Sequence, residues 1–519
     1  MPYDYIIPLA LFFIVVIGYG YSAGKYLPQY SIIVTILIIA FAPKYAALSM
    51  PYYGTEYEDA FVFQADSKNL SEHLSKTEAF RIQVANYNIE DGGNELLAYT
   101  GHFSSFSSVV GFVNSLIGYS EYRTIQLNFI FSIILSFVLF SLVFRITNNT
   151  YSSLVPVILI ATSPATNLFQ TSGLTETYSA LMIATFLFFL VSLVRGKKIS
   201  HLMAGLSIAS LILCLMIKRE NMVLLMFCPL IVARLNAVSY RFWILVLAVF
   251  LALYFIFVSP FSTEYLEADS IETNTFSISY LLVQFPVYLK ALLTFKYFGV
   301  SLFLLITSFL LLAYRRITPS IESMITLLLL LAFIGLYCLH YRSRYFVISM
   351  EMSAFETFRY ANNFYFLITL IVSLNVNSLL KGFDVPKWNW PLGIIVLVLL
   401  GFGIQFSQLL RSDLQKGEFD SRIYPLIAAN TLILTSGNIQ GDPVLVTDIS
   451  LVARMMREDD FYLKVSEFDV RKDYMTMTTE EDIFFLLPEN LAKNIFGDLA
   501  NFRILPLRTD SDYTLFQLL

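Results

Sequence analysis

Cysteine is scarce in this chain, and the positions of the few cysteines exclude one kind of architecture. The 519 residues include three, Cys214, Cys228 and Cys338, and all of them fall inside long apolar stretches. The polar segments between those stretches contain none. A disulfide framework or a cysteine-based zinc site in the polar segments is therefore excluded.

Charge is also limited, since Asp, Glu, Lys and Arg make up 14% of the chain and the formal net charge is −5. A protein that binds nucleic acid neutralises many phosphates with clustered lysine and arginine. The chain has no basic stripe of that kind, which excludes nucleic acid as a partner.

The region from residue 411 onwards also lacks a glycine-rich phosphate loop after its first strand-like run, which argues against a dinucleotide-binding fold there.

Apolar residues dominate instead, at 57% of the chain, with 47 Phe and 32 Tyr. Runs of roughly 17 to 25 apolar residues are long enough as helices to cross a hydrocarbon core of about 30 Å. The sequence predicts a polytopic α-helical membrane protein with about twelve such spans. They lie near 5–24, 30–49, 127–145, 152–168, 178–194, 202–217, 222–234, 242–258, 299–314, 322–340, 361–380 and 392–410.

Lysine and arginine recur in every second connection between these spans, for example at Lys25, Arg145 and Arg315. Positively charged loops stay in the cytoplasm, so the other connections are expected on the outer side of the cell membrane. All the large polar segments then share that side, which favours an enzyme acting at the outer face. The predicted outer segments are 50–126, 169–177, 218–221, 259–298, 341–360 and the tail from 411.

Two domains are expected from the change in composition after the last span. Residues 1–410 form the transmembrane domain, and residues 411–519 form a small extracytoplasmic α/β domain that covers the outer face. Its predicted strands are 443–448, 461–465, 482–488 and 513–519, and its predicted helices are 449–457 and 489–500.

An acidic cluster stands where the predicted second span meets the first outer segment. Glu56, Glu58 and Asp59 lie in the stretch GTEYEDAFVF, just beyond the apolar run that ends near Met50. Carboxylates at the mouth of a membrane helix indicate chemistry at the membrane surface. A solvated loop start is the structural alternative for these residues.

The order of short motifs along the chain resembles the GT-C superfamily of membrane glycosyltransferases, which includes protein O-mannosyltransferases and aminoarabinose transferases (the glycosyltransferase family 39-like group). Its early acidic pair is matched by Glu58 and Asp59, in reversed order. A later phrase of the family appears as IGYSEYRTIQLN, with Gly118, Arg123 and Asn128.

Three further motifs extend the resemblance through most of the chain. The second outer segment is similar in placing Glu176 at the start of the next helix. The helix AGLSIASLILCLMIKREN places Arg219 and Glu220 at its outer end, and an Arg-Tyr phrase appears as Arg359 and Tyr360.

The resemblance implies a glycosyltransferase that takes a sugar from a polyprenyl-phosphate donor, inverts the anomeric centre, and passes the sugar to a glycan, lipid or protein acceptor. Glu58 or Asp59 would be the general base, and Glu176 a second catalytic acid. Cations would bind the departing phosphate, with Arg359 as the first choice. The further candidates are Arg342, Arg344, His340, Arg219 and Lys296.

Glu56, His102 and Tyr360 complete the expected site as substrate-binding residues. No metal-ligand set is predicted, and the resemblance leaves open whether a divalent ion takes part. Each assignment has a structural alternative: Glu176 as a favourable acid in a first helical turn, Arg359 as an interface anchor, and His102 as an ordinary loop residue.

Two other functions stay open. An O-antigen-type polysaccharide polymerase or ligase also has many spans and a large outer loop, but usually places that loop late in the chain. A transporter would be expected to show inverted repeats and helices broken near the membrane midplane, whereas these spans look largely uninterrupted by charge.

Overall fold

The fold of most of the apolar part of the chain is described by a computed structural model. It covers residues 3–24, 30–48, 63, 67, 83–85, 96–98, 105–118, 123–196, 201–235, 278–339, 354–381, 397–409, 444–447, 462–464, 483–488, 504–510 and 513–518.

Helices account for nearly all of the described residues before 410. In chain order they are α1 (Tyr3–Ala23), α2 (Tyr30–Leu48), α3 (Ser105–Ile117), α4 (Arg123–Thr147), α5 (Thr150–Ala161), α6 (Pro164–Gln170), α7 (Glu176–Arg195), α8 (His201–Ile217), a 3-10 helix (Arg219–Phe227), α9 (Cys228–Leu235), α10 (Ile278–Leu293), α11 (Phe295–Phe298), α12 (Ser301–Tyr314), α13 (Ile321–Leu339), α14 (Ala354–Leu380) and α15 (Leu397–Leu409).

The chain is an integral, multi-pass membrane protein. Within the described residues, 5 helices are long and apolar enough to span a membrane, and up to 6 if a bent pair counts as one span. The predicted spans 127–145, 178–194 and 361–380 fall within α4, α7 and α14. The total of about twelve stays a prediction, because regions such as 236–277 lie outside the described residues.

The predicted span 152–168 is a pair of helices rather than one. Helices α5 and α6 meet at an angle of 77° around Thr162 and Ser163. Pro164 disfavours a helical conformation at the residue before it, and Ser163 begins the new helix by accepting a hydrogen bond from the Thr166 amide at 3.4 Å. The expectation of a single helix over 152–168 is therefore wrong.

The bend releases backbone carbonyls that would cost free energy if left dry inside a membrane. The Tyr365 hydroxyl donates to the Leu159 carbonyl at 3.2 Å, and Asn167 Nδ2 donates to the Ala161 carbonyl at 2.8 Å. Side chains of neighbouring segments thus stabilise the bend.

Polar side chains along α14 tie it to the surrounding helices. Asn375 links two helices at once, since its Nδ2 donates to Ser308 Oγ at 3.0 Å and its Oδ1 accepts from Ser323 Oγ at 2.7 Å. Toward the other end of α14, Thr166 Oγ1 donates to Asn362 Oδ1 at 2.9 Å and Asn363 Nδ2 donates to Tyr337 Oη at 2.7 Å. Such bonds hold helices together where no hydrophobic force acts between them.

The two ends of the bundle are distinguished by their contacts. At one end, Arg195 forms an ion pair with Glu322 and donates to the Ile146 carbonyl. Asn128 and Glu176 lie at the opposite ends of the same helices, α4 and α7. The chain therefore returns to the same end of the bundle between α4 and α7, as the predicted order of connections requires. Which end faces the cytoplasm stays a prediction from the positive charges.

A second kind of structure is described in the region from 411 onwards. Strands β3 (Val444–Thr447), β4 (Tyr462–Lys464), β5 (Ile483–Pro488), β6 (Ile504–Asp510) and β7 (Tyr513–Leu518) form one sheet in the order β4-β3-β5-β7-β6. Strand β3 pairs in parallel with β4 and β5, whereas β7 pairs antiparallel with β5 and β6.

Four of these strands coincide with strand-like runs of the sequence, and β6 was not predicted. The predicted helices 449–457 and 489–500 lie outside the described residues, and the position of this region on the outer side stays a prediction. In the first outer segment, β1 (Gln83–Ala85) pairs antiparallel with β2 (Leu96–Ala98).

Candidate functional site

The connection between α6 and α7 is a turn that lies entirely inside the protein. Thr171, Ser172 and Thr175 are 2%, 1% and 2% exposed. Connections usually run over a surface, because a buried one carries polar backbone groups that need partners. Here Asn128 supplies them, since its Nδ2 donates to the carbonyls of Ser172 at 2.7 Å and Leu174 at 2.6 Å.

A buried ion pair lies directly after this turn. Lys218 Nζ lies 2.7 Å from Glu176 Oε1, with the Glu176 side chain 0% exposed and the Lys218 side chain 11% exposed. Glu176 is the first residue of α7, where the helix dipole favours a carboxylate. Lys218 follows the last residue of α8. The pair therefore joins α7 to α8 without leaving a net charge inside the bundle.

Asn221 strengthens the same junction. Its Nδ2 donates to Ser179 Oγ at 3.1 Å and to the Cys214 carbonyl at 2.8 Å. Ser179 lies one turn after Glu176 on α7, and Cys214 lies one turn before Lys218 on α8. The relative position of the two charged residues is thus fixed from both helices.

The motif IGYSEYRTIQLN has a clear structural role. Gly118 follows α3 with φ at +87°, a conformation that glycine adopts without strain. Arg123, the first residue of α4, donates to the Gly118 carbonyl at 3.3 Å and to Asn114 Oδ1 at 3.2 Å. Arg123 and Asn128 therefore attach α4 to α3 on one side and to the buried turn on the other.

Aromatic rings fill the space beneath the turn. Phe106 of α3, Phe131 of α4 and Tyr178 of α7 contact one another, with ring centroids 5.2 to 6.4 Å apart. Ser105 Oγ also donates to Tyr178 Oη at 3.4 Å. This cluster holds α3, α4 and α7 in fixed positions around the turn.

A buried cation lies near the same end of the bundle. Lys44, one turn from the end of α2, is 0% exposed, and its Nζ donates to the Ala40 carbonyl at 2.6 Å. The preceding turn of α2 carries Phe41, whose ring contacts that of Phe129, the neighbour of Asn128. No carboxylate in the described part of the chain pairs with this ammonium group.

Most of the residues expected in the site are not among those that the structure describes. Those outside the described residues are Glu56, Glu58, Asp59, His102, His340, Arg342 and Arg344. For three others the structure describes the backbone: Arg219 begins the 3-10 helix, Lys296 is in α11, and Arg359 is in α14. Their roles stay predictions.

Tyr360 and Arg359 belong to the same end of the bundle as Glu176. Tyr360 is half-buried, and its ring stacks on Tyr337 with centroids 5.7 Å apart. Two residues further along α14, Asn362 accepts a hydrogen bond from Thr166 of α6, the helix that leads into the buried turn. The backbone of Arg359 is therefore on the side where a phosphate-binding residue was expected.

Two lysines at this end were missed by reasoning from the sequence. Lys44 stands inside the predicted span 30–49, and a cation within an apolar run is a signal of function that could have identified it. Lys218 was passed over for its neighbours Arg219 and Glu220 because only the family phrase was considered.

Within the described residues, no group of three or more His, Cys, Asp and Glu side chains is placed to hold a metal ion.

Comparison with known proteins identifies the fold. The structure matches ArnT from Cupriavidus metallidurans bound to undecaprenyl phosphate, with a TM-score of 0.58 over 94% of this chain and 98% of that one, at 10% sequence identity. The same protein in its apo state matches with a TM-score of 0.58 over 93% and 97%, also at 10% identity.

The predicted likeness to the GT-C membrane glycosyltransferases is confirmed at the level of the fold, since ArnT is a GT-C aminoarabinose transferase. No family model matches the sequence. No curated protein matches it either.

Proposed function

We propose that this chain is a membrane glycosyltransferase that moves a sugar from a polyprenyl-phosphate donor to an acceptor at the outer face of the membrane. The observation that carries the proposal is the ArnT-like fold, which extends over 94% of the chain. The related structure was obtained with undecaprenyl phosphate bound. A fold alone does not define an activity, so the polar groups of the site must support it as well.

The polar groups at the predicted outer end meet that requirement. A buried turn, a buried ion pair and a buried lysine lie together in a part of the bundle where unpaired polar groups are costly. At this end α4 and α7 begin and α8 ends, so the site lies at the level of the membrane surface and within reach of a lipid-linked phosphate.

The reaction itself needs one base and one anion-binding group. The acceptor hydroxyl oxygen attacks the anomeric carbon as the bond from that carbon to the phosphate oxygen breaks. The proton passes to a carboxylate, and the polyprenyl phosphate leaves with the bonding electrons. Attack from the side opposite the leaving group inverts the anomeric centre.

We assign the base to Glu58 or Asp59, as the motif order predicts. Adjacent residues point in different directions in a helix and in a strand, so one of the two faces the acceptor. Glu176, the expected second catalytic acid, is already engaged by a cation, since Lys218 Nζ lies 2.7 Å from its carboxylate. In this proposal the Glu176–Lys218 pair positions the walls of the site.

Lys44 joins Arg359 as a cation for the leaving phosphate. An ammonium group has three donors, and Lys44 uses one of them on the Ala40 carbonyl at 2.6 Å. A buried cation with donors to spare is costly unless an anion compensates it. The phosphate of a lipid donor is such an anion, and Lys44 lies near the end of α2 that is predicted to face outward.

The alternatives are weaker on the same observations. The bend between α5 and α6 removes one argument against a transporter, since transporters use broken helices. However, the fold likeness is to a protein crystallised with a lipid phosphate, which favours transfer from such a lipid. A polysaccharide polymerase or ligase stays as the second candidate.

The proposal is tested in membranes of a strain that lacks its own copy of the protein and carries the wild type or a variant. Transfer of radiolabelled sugar from a panel of undecaprenyl-phosphate sugars to membrane acceptors is measured. Glu58→Gln or Asp59→Asn is expected to lower transfer by about 10²- to 10⁴-fold, the usual effect of losing a general base.

The same loop offers a matched control, the adjacent pair Glu90 and Asp91. Glu90→Gln and Asp91→Asn are expected to leave transfer unchanged. If neither variant of the 58–59 pair falls below these controls, or if the wild type transfers no sugar from any donor, the proposed function is overturned.

A further inference from the structure

Gln170 is a buried side chain whose polar atoms are unused. It is the last residue of α6 and is 1% exposed. In the described part of the chain, neither its Oε1 nor its Nε2 has a hydrogen-bond partner. A primary amide offers two donor hydrogens and an acceptor oxygen, and leaving such groups buried without partners is unfavourable. A polar side chain at this position therefore has a cost unless a bound group satisfies it.

Other buried side chains beside the turn have the same property. On α4, Thr124 Oγ1 and Asn128 Oδ1 lie one turn apart on one face, and neither has a partner among the described residues. Asn128 also bonds through Nδ2 to the carbonyls of Ser172 and Leu174, which places this face of α4 against the turn that begins after Gln170.

Helix α3 contributes two more unused groups. The hydroxyls of Ser107 and Ser108 are buried and have no partner in the described part of the chain. Ser108 lies one turn after Ser105, which bonds to Tyr178 of α7, two residues past Glu176. Three helices thus present unsatisfied polar atoms at the same end of the bundle.

The chemistry of these groups defines a ligand. All of them are neutral amides or hydroxyls, which both donate and accept hydrogen bonds and so match the neighbouring hydroxyls of a sugar. Glu176, the carboxylate beside them, already forms an ion pair with Lys218, whose Nζ lies 2.7 Å from its Oε1, so an ammonium group on the sugar would compete with that lysine. We propose that Gln170, Thr124, Asn128, Ser107 and Ser108 bind the hydroxyls of an uncharged sugar, carried by the donor of the proposed reaction.

The test compares donors and variants in the transfer assay described above. The donors are undecaprenyl-phosphate-linked glucose, galactose and mannose, with 4-amino-4-deoxyarabinose as the positively charged counterpart. The wild type is expected to prefer an uncharged sugar. Gln170→Leu is expected to lower kcat/KM for that sugar by about 10- to 100-fold, the effect of losing one or two hydrogen bonds to the substrate.

A matched control separates this effect from a general loss of structure. Gln126 lies on α4 at the same end but is exposed, and Gln126→Leu is expected to leave transfer unchanged. Gln170→Leu is also expected not to lower the Tm in detergent, because it removes a polar group without a partner. A structural role for Gln170 would lower it. Thr124→Val, which nearly preserves shape, repeats the test at a second position.

The results distinguish this inference from the proposed function. If the wild type transfers sugar but Gln170→Leu and Thr124→Val behave like Gln126→Leu, water alone occupies the subsite and the inference is overturned. It is equally overturned if the wild type prefers the charged amino sugar. If the wild type transfers no sugar at all, the proposed function fails, and the subsite assignment fails with it.

Discussion

Glu176 and Lys218 form a buried ion pair between the start of α7 and the end of α8, with Lys218 Nζ 2.7 Å from Glu176 Oε1. The two residues are 42 positions apart in the sequence and meet because α7 begins where α8 ends. A buried pair of this kind is a weak source of stability as a unit, yet removing one partner leaves an uncompensated charge. The geometry therefore predicts that a single substitution lowers the free energy of unfolding much more than the double substitution does.

Lys218→Met alone is expected to lower the free energy of unfolding by about 3–5 kcal/mol, because it leaves the Glu176 carboxylate buried without its cation. The double variant Glu176→Gln/Lys218→Met, which removes both charges, is expected to recover most of that loss. Thermal unfolding of the purified proteins in detergent measures the difference.

The same double variant separates structure from catalysis. If Glu176 only positions the walls of the site, the double variant transfers sugar at a rate within about tenfold of the wild type, less than the loss of a general base would cause. A folded double variant with no transfer would instead support the role of Glu176 as a second catalytic acid.

Lys44 is expected to contribute to binding of the lipid phosphate. Lys44→Met should raise the Kd for undecaprenyl phosphate by about 10- to 100-fold, since hydrogen bonds to charged groups contribute about 1.5–3 kcal/mol. Binding is measured with the purified protein in detergent, as the shift of Tm with ligand concentration.

Lys290 provides the control for this experiment, because it is an exposed lysine near the end of α10. Lys290→Met should bind the lipid phosphate like the wild type. Equal affinities of the two variants would show that Lys44 only interacts with the end of its own helix.

The packing of α15 on the bend between α5 and α6 depends on a glycine, Gly403, which has no side chain. A Cβ at Gly403 would lie 2.8 Å from Thr162 Cα and 3.0 Å from the Thr162 carbonyl oxygen, both backbone atoms. Gly403→Ala is therefore expected to lower the free energy of unfolding by about 1–3 kcal/mol, the usual cost of overpacking. The Tm in detergent reports the change.

Gly401, two residues earlier on the same helix, has no atom within 4 Å of the position that its Cβ would occupy. Gly401→Ala should leave the Tm unchanged or raise it, since alanine favours a helix by about 1 kcal/mol over glycine. If both variants lose stability equally, the contact between Gly403 and Thr162 does not hold the bend.

The sequence allowed much of the transmembrane fold to be predicted because apolar length and positive charge are local signals. The helices α4, α7 and α14 were found from runs such as 127–145 and 361–380. The bend at Ser163 and Pro164 was missed, although proline was visible, because the apolar run continued through it. Strand β6 was missed as well, since its short alternating run IL-P-LR is interrupted by proline.

The candidate site was predicted less completely. The resemblance drew attention to Gly118, Arg123, Asn128 and Glu176, and the structure brings these residues to one end of the bundle. Lys44, Lys218 and Gln170 were not selected: the apolar run around Lys44 indicates a role, but no residue nearby in the sequence shows which group any of the three would contact. Their significance arises from burial and from distances to side chains on other helices.

The sequence by itself determined that this is a membrane protein with its polar segments in alternate connections, because the hydrophobic effect acts on every apolar run independently of the others. The tertiary structure decided which polar residues share a site. Pairing Glu176 with Lys218, and leaving the Gln170 amide unused, depends on how α4, α6, α7 and α8 pack together. No single stretch of sequence contains that information, since each contact joins residues that meet only after the helices have packed.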